Sequence, residues 1–300
     1  MTEVMTRRNL LPFLSFIIAS FLLNRSDAQQ LLTKSPKIKT IIIDAGHGGI
    51  EPGAKGTYST EAQITLQLAL RLDTLLRNEM PDVRFVMTRT TDIFHNPKEK
   101  ANIANRENGD LFLCIHVNAM PPKKEIIGYK SVAVTKKIKG KKKKVYQKVP
   151  IYKYSPNPTY GTSTYVWAAD RSDEKSKGII EDERYESSSE VMDVPDINSP
   201  EAMIKARLWS QKFFKNSVRL ASMIEDEFAS SGRKSWGVLQ RNNKGIWVLQ
   251  ATNMPAVLVE TGFITNKEEE DYLNSETGQK EVVRSIANAV IKYKQMIDGK

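Results

Sequence analysis

The stretch that decides the fold is residues 41–49, which read IIIDAGHGG. Three consecutive isoleucines predict a strand that is buried on both faces, as in the interior of a parallel sheet. Glycines on both sides of His47 allow backbone angles that other residues avoid, so this histidine can occupy a tight turn at the carboxyl end of the strand. Open α/β sheets bind their ligands at that edge. The stretch therefore indicates either a ligand-binding histidine or a surface turn that contains a histidine by chance.

Alternating strand and helix patterns extend outward from this stretch. Ile64, Leu68 and Leu72 recur at helical spacing, and Ser59 or Thr60 can cap the helix that carries them. Such alternation with short links predicts an α/β fold, in which helices flank a largely parallel twisted sheet. We expect helices over residues 61–78, 98–106, 200–229 and 277–297, strands over residues 83–87, 111–115, 161–167 and 256–263, and a loop and a strand within residues 236–248.

The first 28 residues have the pattern of a secretory signal peptide. Arg7 and Arg8 precede a nearly unbroken apolar run over residues 10–23, and Ser26 and Ala28 are small residues where a signal peptidase would cut. We expect cleavage after Ala28 and an exported protein, periplasmic or secreted. A retained membrane anchor is the alternative, but the run is shorter than the roughly 20 residues that a span needs. We therefore expect no stable membrane span after cleavage.

The rest of the chain is predicted to be a short leader, residues 29–38, and one domain, residues 39–300, with an insert at about residues 123–200. Within the insert, residues 126–154 predict a β-hairpin with a lysine-rich tip. That tip is either a solvated charged turn or a surface for the cell wall or a partner. Residues 170–200 are rich in acids and serines and poor in large apolar groups, which predicts a flexible segment.

The charge balance and the cysteine count narrow the function. The formal net charge of +10 suits an anionic partner such as a cell-wall polymer or a membrane surface. Nucleic acid is the other usual partner of a basic protein, but no nucleic-acid-binding motif supports it, so we expect none. Cys114, the only cysteine, lies in an apolar run, which predicts a buried, inert thiol rather than a nucleophile.

Four residues are candidates for chemistry. His47, His116 and Glu260 lie at the ends of apolar strands, and Glu61 opens the first helix. Two histidines and a carboxylate match the ligand set of a catalytic zinc site, which keeps a fourth position open for water. A separate carboxylate must then accept the proton of the water, and Glu260 is the candidate. Each residue also has a purely structural interpretation: Glu61 would be favourable through the helix dipole alone, and either histidine could be hydrogen-bonded in the core.

Four ordered motifs resemble a known family. Residues 43–49 (IDAGHGG), Glu61 at a helix start, residues 115–119 (IHVNA) and residues 255–266 (PAVLVETGFITN) occur in that order. Together they are similar to the zinc-dependent N-acetylmuramoyl-L-alanine amidases of the amidase-3 type. A set of four ordered motifs is specific in a way that no single short motif is.

This resemblance implies a metal, a set of residue roles and a substrate. Zinc would be held by His47, Glu61 and His116, and Glu260 would be the catalytic acid and base. The substrate would be peptidoglycan, at the amide bond between the lactyl group of N-acetylmuramic acid and L-alanine of the stem peptide. A zinc peptidase that acts on another amide and a non-catalytic wall-binding regulator are the alternatives. The presence of all four residues disfavours the regulator.

The sequence also departs from the family pattern. Ala45 stands where the family usually has proline, and Val117 where it often has alanine. Gln250 stands where an arginine is common, and it and Asn118 are the candidate substrate-binding residues. In some relatives an inserted helix blocks the zinc until a protein activator displaces it. We therefore hypothesise that the acidic segment is such a lid and that an activator is a partner.

Overall fold

The computed structural model of the chain describes residues 37–167, 200–240 and 246–299. The predicted signal peptide lies outside the described residues, as does all of the acidic segment except Pro200. The strands are β1 (Thr40–Ala45), β2 (Arg84–Met87), β3 (Leu111–Asn118), β4 (Lys123–Ile138), β5 (Lys141–Ser155), β6 (Thr162–Val166), β7 (Ser235–Gln240) and β8 (Ala256–Phe263). The helices are α1 (Glu61–Glu79), α2 (Pro97–Arg106), α3 (Pro200–Ser230), α4 (Trp247–Ala251), α5 (Lys267–Asn274) and α6 (Glu276–Ile297).

The chain divides into two units. Lys39–Tyr293 form the larger one, which holds the sheets. The described part of the smaller unit consists of residues 37–38 and 294–299, where the backbone amide of Ile38 donates to Asp298 Oδ1 (3.1 Å). The predicted domain limits stay a prediction. Among the described helices, none combines the length and apolar character that crossing a bilayer requires.

The central sheet confirms the predicted fold class. Its six strands lie in the order β2-β1-β3-β8-β6-β7. The four strands from β2 to β8 are parallel, whereas β6 is antiparallel to β8 and parallel to β7. β1 and β8 are buried at every position, as continuous apolar runs in the middle of a sheet should be.

Helices cover both faces of this sheet. On one face, Ile42 and Phe112 pack in a single buried cluster with Ala104 of α2 and Leu249 of α4. On the opposite face, the hydroxyl of Thr164 in β6 donates to the carboxylate of Glu225 in α3. The sheet therefore has the layered arrangement that the alternating sequence predicts.

The predicted basic hairpin is also present. β4 and β5 form a separate two-stranded antiparallel sheet, and the chain turns between them at Lys139 and Gly140, both with positive φ. We call residues 123–155 the ribbon and residues 136–144 the ribbon tip. The ribbon begins three residues before the predicted hairpin, residues 126–154, and ends one residue after it.

Three details differ from the sequence-based expectation. β3 continues through His116 to Asn118 instead of ending at Ile115, whereas β8 has the predicted bounds, and His116 pairs with Glu260 across the two strands. The prediction of a loop and a strand within residues 236–248 is wrong at its end: β7 covers Ser235–Gln240, and Val248 belongs to α4. A run of four apolar residues has no periodicity that separates a strand from a helix. α5 was not expected at all, although Asn266 caps it by accepting from the amide of Glu268.

Candidate metal centre

The turn after β1 places the first histidine. The amide of Gly46 donates to the carbonyl of Ile115 in β3 (2.9 Å), so the turn stays attached to the sheet. A Cβ atom on Gly46 would lie 2.7 Å from the ring of His116, which is closer than a side chain allows. His47 itself has a φ of 58°, in the left-handed region, and Gly48 follows with a φ of 131°. The glycine-flanked sequence therefore brings His47 beside the end of β3.

Glu61 lies between the two histidines. Its Oε1 is 2.7 Å from Nδ1 of His116, and its Oε2 is 3.1 Å from Nε2 of His47. The backbone amide of Val117 donates to Oε1 (3.1 Å), and that of Ala54 donates to Oε2 (2.9 Å). Glu61 is only 5% exposed, so these contacts fix its carboxylate in a single orientation. The capping box at the start of α1 fixes the backbone beneath it.

The three side chains form one cluster of possible metal ligands. One ligand atom from each of His47, Glu61 and His116 lies within 4.8 Å of the others. The two imidazole rings meet edge to face, with centroids 5.0 Å apart. Two imidazole nitrogens and one carboxylate oxygen are a donor set that suits Zn²⁺. The sequence-predicted ligands therefore converge on one point, and the residues present fit a zinc ion.

The electrostatics of the cluster follow from its burial and its hydrogen bonds. Burial alone would raise the pKa of Glu61, but hydrogen bonds from His116 and His47 outweigh it and hold that pKa well below its usual value. Burial likewise disfavours the charged form of His116. The hydrogen bond to Glu61 and the negative charges of Glu61 and Glu260 nevertheless raise the pKa of this imidazole. Both shifts share one cause, the hydrogen bond between Glu61 and His116.

Glu260 lies beside the cluster on the neighbouring strand. It pairs in register with His116 across β3 and β8. Side chains of directly opposite residues lie on the same face of a sheet, so the carboxylate and the imidazole share a face. Glu260 is 7% exposed, and it is not one of the three cluster members. Glu260 therefore lies next to the cluster of possible metal ligands but outside it.

A buried charge network holds the end of β1, where the histidine turn begins. Lys100 of α2 lies 2.9 Å from Oδ1 of Asp44 and also donates to the carbonyl of Ala45 (2.8 Å). Cys114 and Thr88 donate to the same carboxylate. Burial opposes the charge of Asp44, but Lys100 and the two side-chain hydrogen bonds lower its pKa. The thiol of Cys114 is buried, as predicted, and burial raises its pKa well above the usual value.

Arg89 is a supporting residue that sequence reasoning missed. It is 2% exposed, and its guanidinium donates to the carbonyl oxygens of Ala45, Gly46 and Ala62. These contacts connect the histidine turn to the first turn of α1. The sequence shows Arg89 in a polar loop, and a lone arginine in such a loop carries no signal of its burial.

Glu270 is a second residue that sequence reasoning missed. Its buried carboxylate accepts hydrogen bonds from the amides of Thr57, Tyr58 and Ser59 and from the hydroxyl of Ser59, at 2.8–2.9 Å. Burial opposes its charge, but these hydrogen bonds lower the pKa of Glu270 to about 2. The loop that they hold leads directly into Glu61. Glu270 therefore fixes the approach of the chain to the metal centre.

The two candidate substrate residues lie outside the cluster. Asn118 ends β3, where its side chain accepts from the amide of Ala119 (2.8 Å) and its carbonyl accepts from Ile264 (2.9 Å). Gln250 lies in the short helix α4. Their roles toward a substrate stay predictions.

Comparison with known proteins gives the family. The sequence profile of the N-acetylmuramoyl-L-alanine amidase family, type 3, matches residues 41–292. The chain belongs to this family. The match includes the histidine turn, Glu61, His116 and Glu260, so the candidate metal centre lies inside the region that defines the family.

Individual relatives differ in how much of the chain they match. The sporulation-specific N-acetylmuramoyl-L-alanine amidase of Bacillus subtilis is 46% identical over 79 residues, which are 26% of this chain and 31% of that relative. The amidase AmiA of Escherichia coli is 26% identical over 277 residues, which cover 89% of this chain and 80% of AmiA. This chain thus spans about a third of the first relative and most of the second.

Solved amidase structures share the fold. The N-acetylmuramoyl-L-alanine amidase of Clostridium difficile 630 superposes with a TM-score of 0.54 at 23% identity, over 86% of this chain and 97% of that one. The CwlD amidase of Clostridioides difficile, solved in complex with the GerS lipoprotein, gives a TM-score of 0.52 at 22% identity, over 86% and 99% of the two chains. At 22–23% identity, these likenesses concern the fold alone.

Proposed function

We propose that this protein is a zinc-dependent N-acetylmuramoyl-L-alanine amidase. Its reaction is hydrolysis of the amide bond between the lactyl group of N-acetylmuramic acid and L-alanine of the peptidoglycan stem peptide. The observation that carries the proposal is the convergence of His47, Glu61 and His116 within 4.8 Å, next to Glu260, in a chain of this family.

His47, Glu61 and His116 would hold the metal. When bound, zinc supplies a Lewis acid that polarises the scissile carbonyl and makes a water molecule more acidic. The amides of Val117 and Ala54 donate to Glu61, so they would hold its carboxylate in place as a ligand. Such outer contacts are what fix the direction of a ligand lone pair.

Glu260 would move the proton. Its carboxylate accepts a proton from the water that attacks the lactyl carbonyl carbon. As the bond between that carbon and the alanine nitrogen breaks, Glu260 returns the proton to the nitrogen, which leaves as a free amino terminus. The lactyl group keeps the oxygen of the water as a carboxylate.

The place of action and the regulation are part of the proposal. The signal-like residues 1–28 support export to the periplasm or the outside of the cell. A protein activator is supported by analogy with CwlD, which was solved with a lipoprotein partner. If the acidic segment is a lid, deletion of residues 173–193 will raise hydrolysis of purified wall in the absence of an activator. Unchanged hydrolysis would contradict the lid.

The test of the activity is the release of peptides from purified peptidoglycan by residues 29–300 with zinc. We expect free L-alanine amino termini by mass spectrometry. Glu260→Gln should reduce the rate by about 10²–10⁴-fold, as expected for loss of a general acid and base. Glu268→Gln, an equal change at an exposed carboxylate of α5, is the matched control and should leave the rate unchanged. New ends at another bond would support a zinc peptidase. No release by zinc-loaded protein, either with or without residues 173–193, would contradict the proposal.

A further inference from the structure

The ribbon concentrates positive charge to an unusual degree. Residues 123–155 contain twelve lysines and a single acid, Glu125. Seven of the lysines lie among the nine residues of the ribbon tip, and all nine are exposed. Within the part of the chain that the structure describes, no ion pair involves a lysine of the ribbon. The positive charge is therefore not compensated by the carboxylates of the described core.

The register of the ribbon makes this arrangement unfavourable for folding. Lys136 lies directly opposite Lys143, and Lys137 lies directly opposite Lys142. Like charges directly opposite each other destabilise a pair of strands. A two-stranded sheet is also only marginally stable by itself in water. An external anion that neutralises the tip would remove this repulsion, so the ribbon is better suited to a charged partner than to free solution.

The remaining side chains of the ribbon indicate the kind of anionic partner. Tyr146, two residues beyond the tip and between Lys144 and Lys148, is 72% exposed. Tyrosine rings between lysines are typical of the interface of a bilayer, where the ring lies at the level of the headgroups and the ammonium groups contact phosphates. A neutral glycan of the cell wall could pack against the tyrosine rings, but it would not attract the charged lysines.

The distribution of lysines at the tip favours a plane over a polymer chain. Successive residues of a strand point to opposite faces, so Lys136 and Lys143 lie on one face of the ribbon and Lys137 and Lys142 on the other. A linear anionic polymer would follow one charged face. A plane of phosphates that meets the tip end-on reaches the lysines of both faces at once.

We propose that the ribbon tip docks the protein on a bilayer surface of anionic phospholipid. The proposal concerns a surface outside the metal centre and does not depend on zinc or on the amidase activity. At about 3.3 Å per residue, the sixteen residues of β4 reach about 50 Å. The base of the ribbon follows β3, which carries His116. The docked ribbon is thus a spacer between the bilayer and the sheet that holds the metal centre.

The test is co-sedimentation of residues 29–300 with vesicles, since the apolar run in residues 10–23 would itself bind lipid. The protein should bind vesicles of phosphatidylcholine mixed with phosphatidylglycerol, and not vesicles of phosphatidylcholine alone. Binding should weaken as salt is added, because the Debye length shortens. Equal binding to both vesicle types, or binding that salt does not change, would overturn the proposal.

Charge variants test whether the tip is responsible. Replacement of the four consecutive lysines of the tip by glutamine should weaken vesicle binding by at least about 100-fold, given the attraction of each lysine to an anionic surface. The same lysines replaced by arginine should bind as the original protein does, which separates loss of charge from misfolding. The four lysines are changed in the variant K141Q/K142Q/K143Q/K144Q.

A matched control carries the same change in net charge on the described core surface. It should keep the vesicle binding of the original protein. If it loses binding as strongly as the tip variant, net charge and not the ribbon is responsible, and the proposal is wrong. Tip-dependent binding to purified wall polymer without binding to vesicles would also overturn it. The control is the variant K98Q/K212Q/K215Q/K280Q, at four exposed lysines of α2, α3 and α6.

Discussion

The metal centre and the ribbon differ in whether their charged side chains are buried and paired with opposite charges. Near the centre, Asp44 is buried 2.9 Å from Lys100, and the buried Glu61 lies between two histidines. In the ribbon, lysines face lysines across the strands, and all of them are exposed at the tip. The charges of the centre are therefore part of the folded geometry. Removal of a charge at the tip should change the free energy of unfolding little, so the charges of the tip serve binding.

The largest effect is expected where a buried charge loses its partner. Lys100→Met leaves Asp44 buried without its cation and should lower the free energy of unfolding by about 3–5 kcal/mol. Lys98→Met, at an exposed position of the same helix, is the control and should change it by no more than about 0.5 kcal/mol. Urea unfolding followed by circular dichroism measures both. Equal losses in the two variants would show that the Asp44–Lys100 pair has no special role.

A smaller loss is expected at the loop that leads into Glu61. Glu270→Gln keeps the shape of the side chain but removes the charge that four donors share, and should lower the free energy of unfolding by about 2–3 kcal/mol. Glu268→Gln, two residues away and exposed, should have almost no effect. Zinc affinity should also fall in Glu270→Gln and not in the control, because the loop no longer holds Glu61 in place. Unchanged zinc affinity would limit Glu270 to a role in stability.

The same carboxylate gives a pH dependence with a defined sign. The pKa of Glu270 is about 2 in the folded protein and 4.5 at its ordinary value. Because the folded-state pKa is depressed, the stabilisation is complete above pH 4.5 and is lost as the pH falls toward 2. Urea midpoints measured across this range should fall less steeply with acid in Glu270→Gln than in the original protein. Parallel curves would contradict the assignment.

The smallest effect is expected in the ribbon. Lys137→Thr removes one member of a like-charge pair with Lys142, so the ribbon should become slightly more stable, by about 0.5 kcal/mol or less. Hydrogen exchange of the amides of β4 and β5 measures this local change. Faster exchange in the variant would mean that the lysines stabilise the ribbon, and the contrast with the metal centre would fail.

Sequence reasoning predicted the elements whose signal is local. The buried strands β1, β3 and β8 are continuous apolar runs, and α1 has both a helical apolar face and a cap at Thr60. The ribbon was predicted from the alternation of apolar and polar residues on both sides of the turn at Gly140. Their positions at strand ends and at a helix start, together with their donor chemistry, made His47, Glu61, His116 and Glu260 candidates, and the first three do converge. The family resemblance then assigned their roles. Their roles toward zinc and substrate stay predictions.

What sequence reasoning missed depends on contacts between distant parts of the chain. Lys100, Arg89 and Glu270 have the residue types of a solvated surface, yet all three are buried against polar partners. Their sequence neighbours do not reveal those partners, since Lys100 meets Asp44 and Glu270 meets the loop before Glu61 only after the sheet has assembled. The helix α5 was missed for the same reason, because its buried face carries Glu269 and Glu270 in place of apolar residues.

The order of the motifs along the chain also decides when the centre is completed. Ser59 and Glu270 are 211 residues apart, and β8, which carries Glu260, inserts between β3 and β6 although it follows both in sequence. Contacts with such separations form late in folding, because the entropy of closing the loop must be lost first. During synthesis the histidine turn is made early, long before its supports exist. The supports of the centre are therefore complete only after the chain has been made as far as Glu270 and has folded.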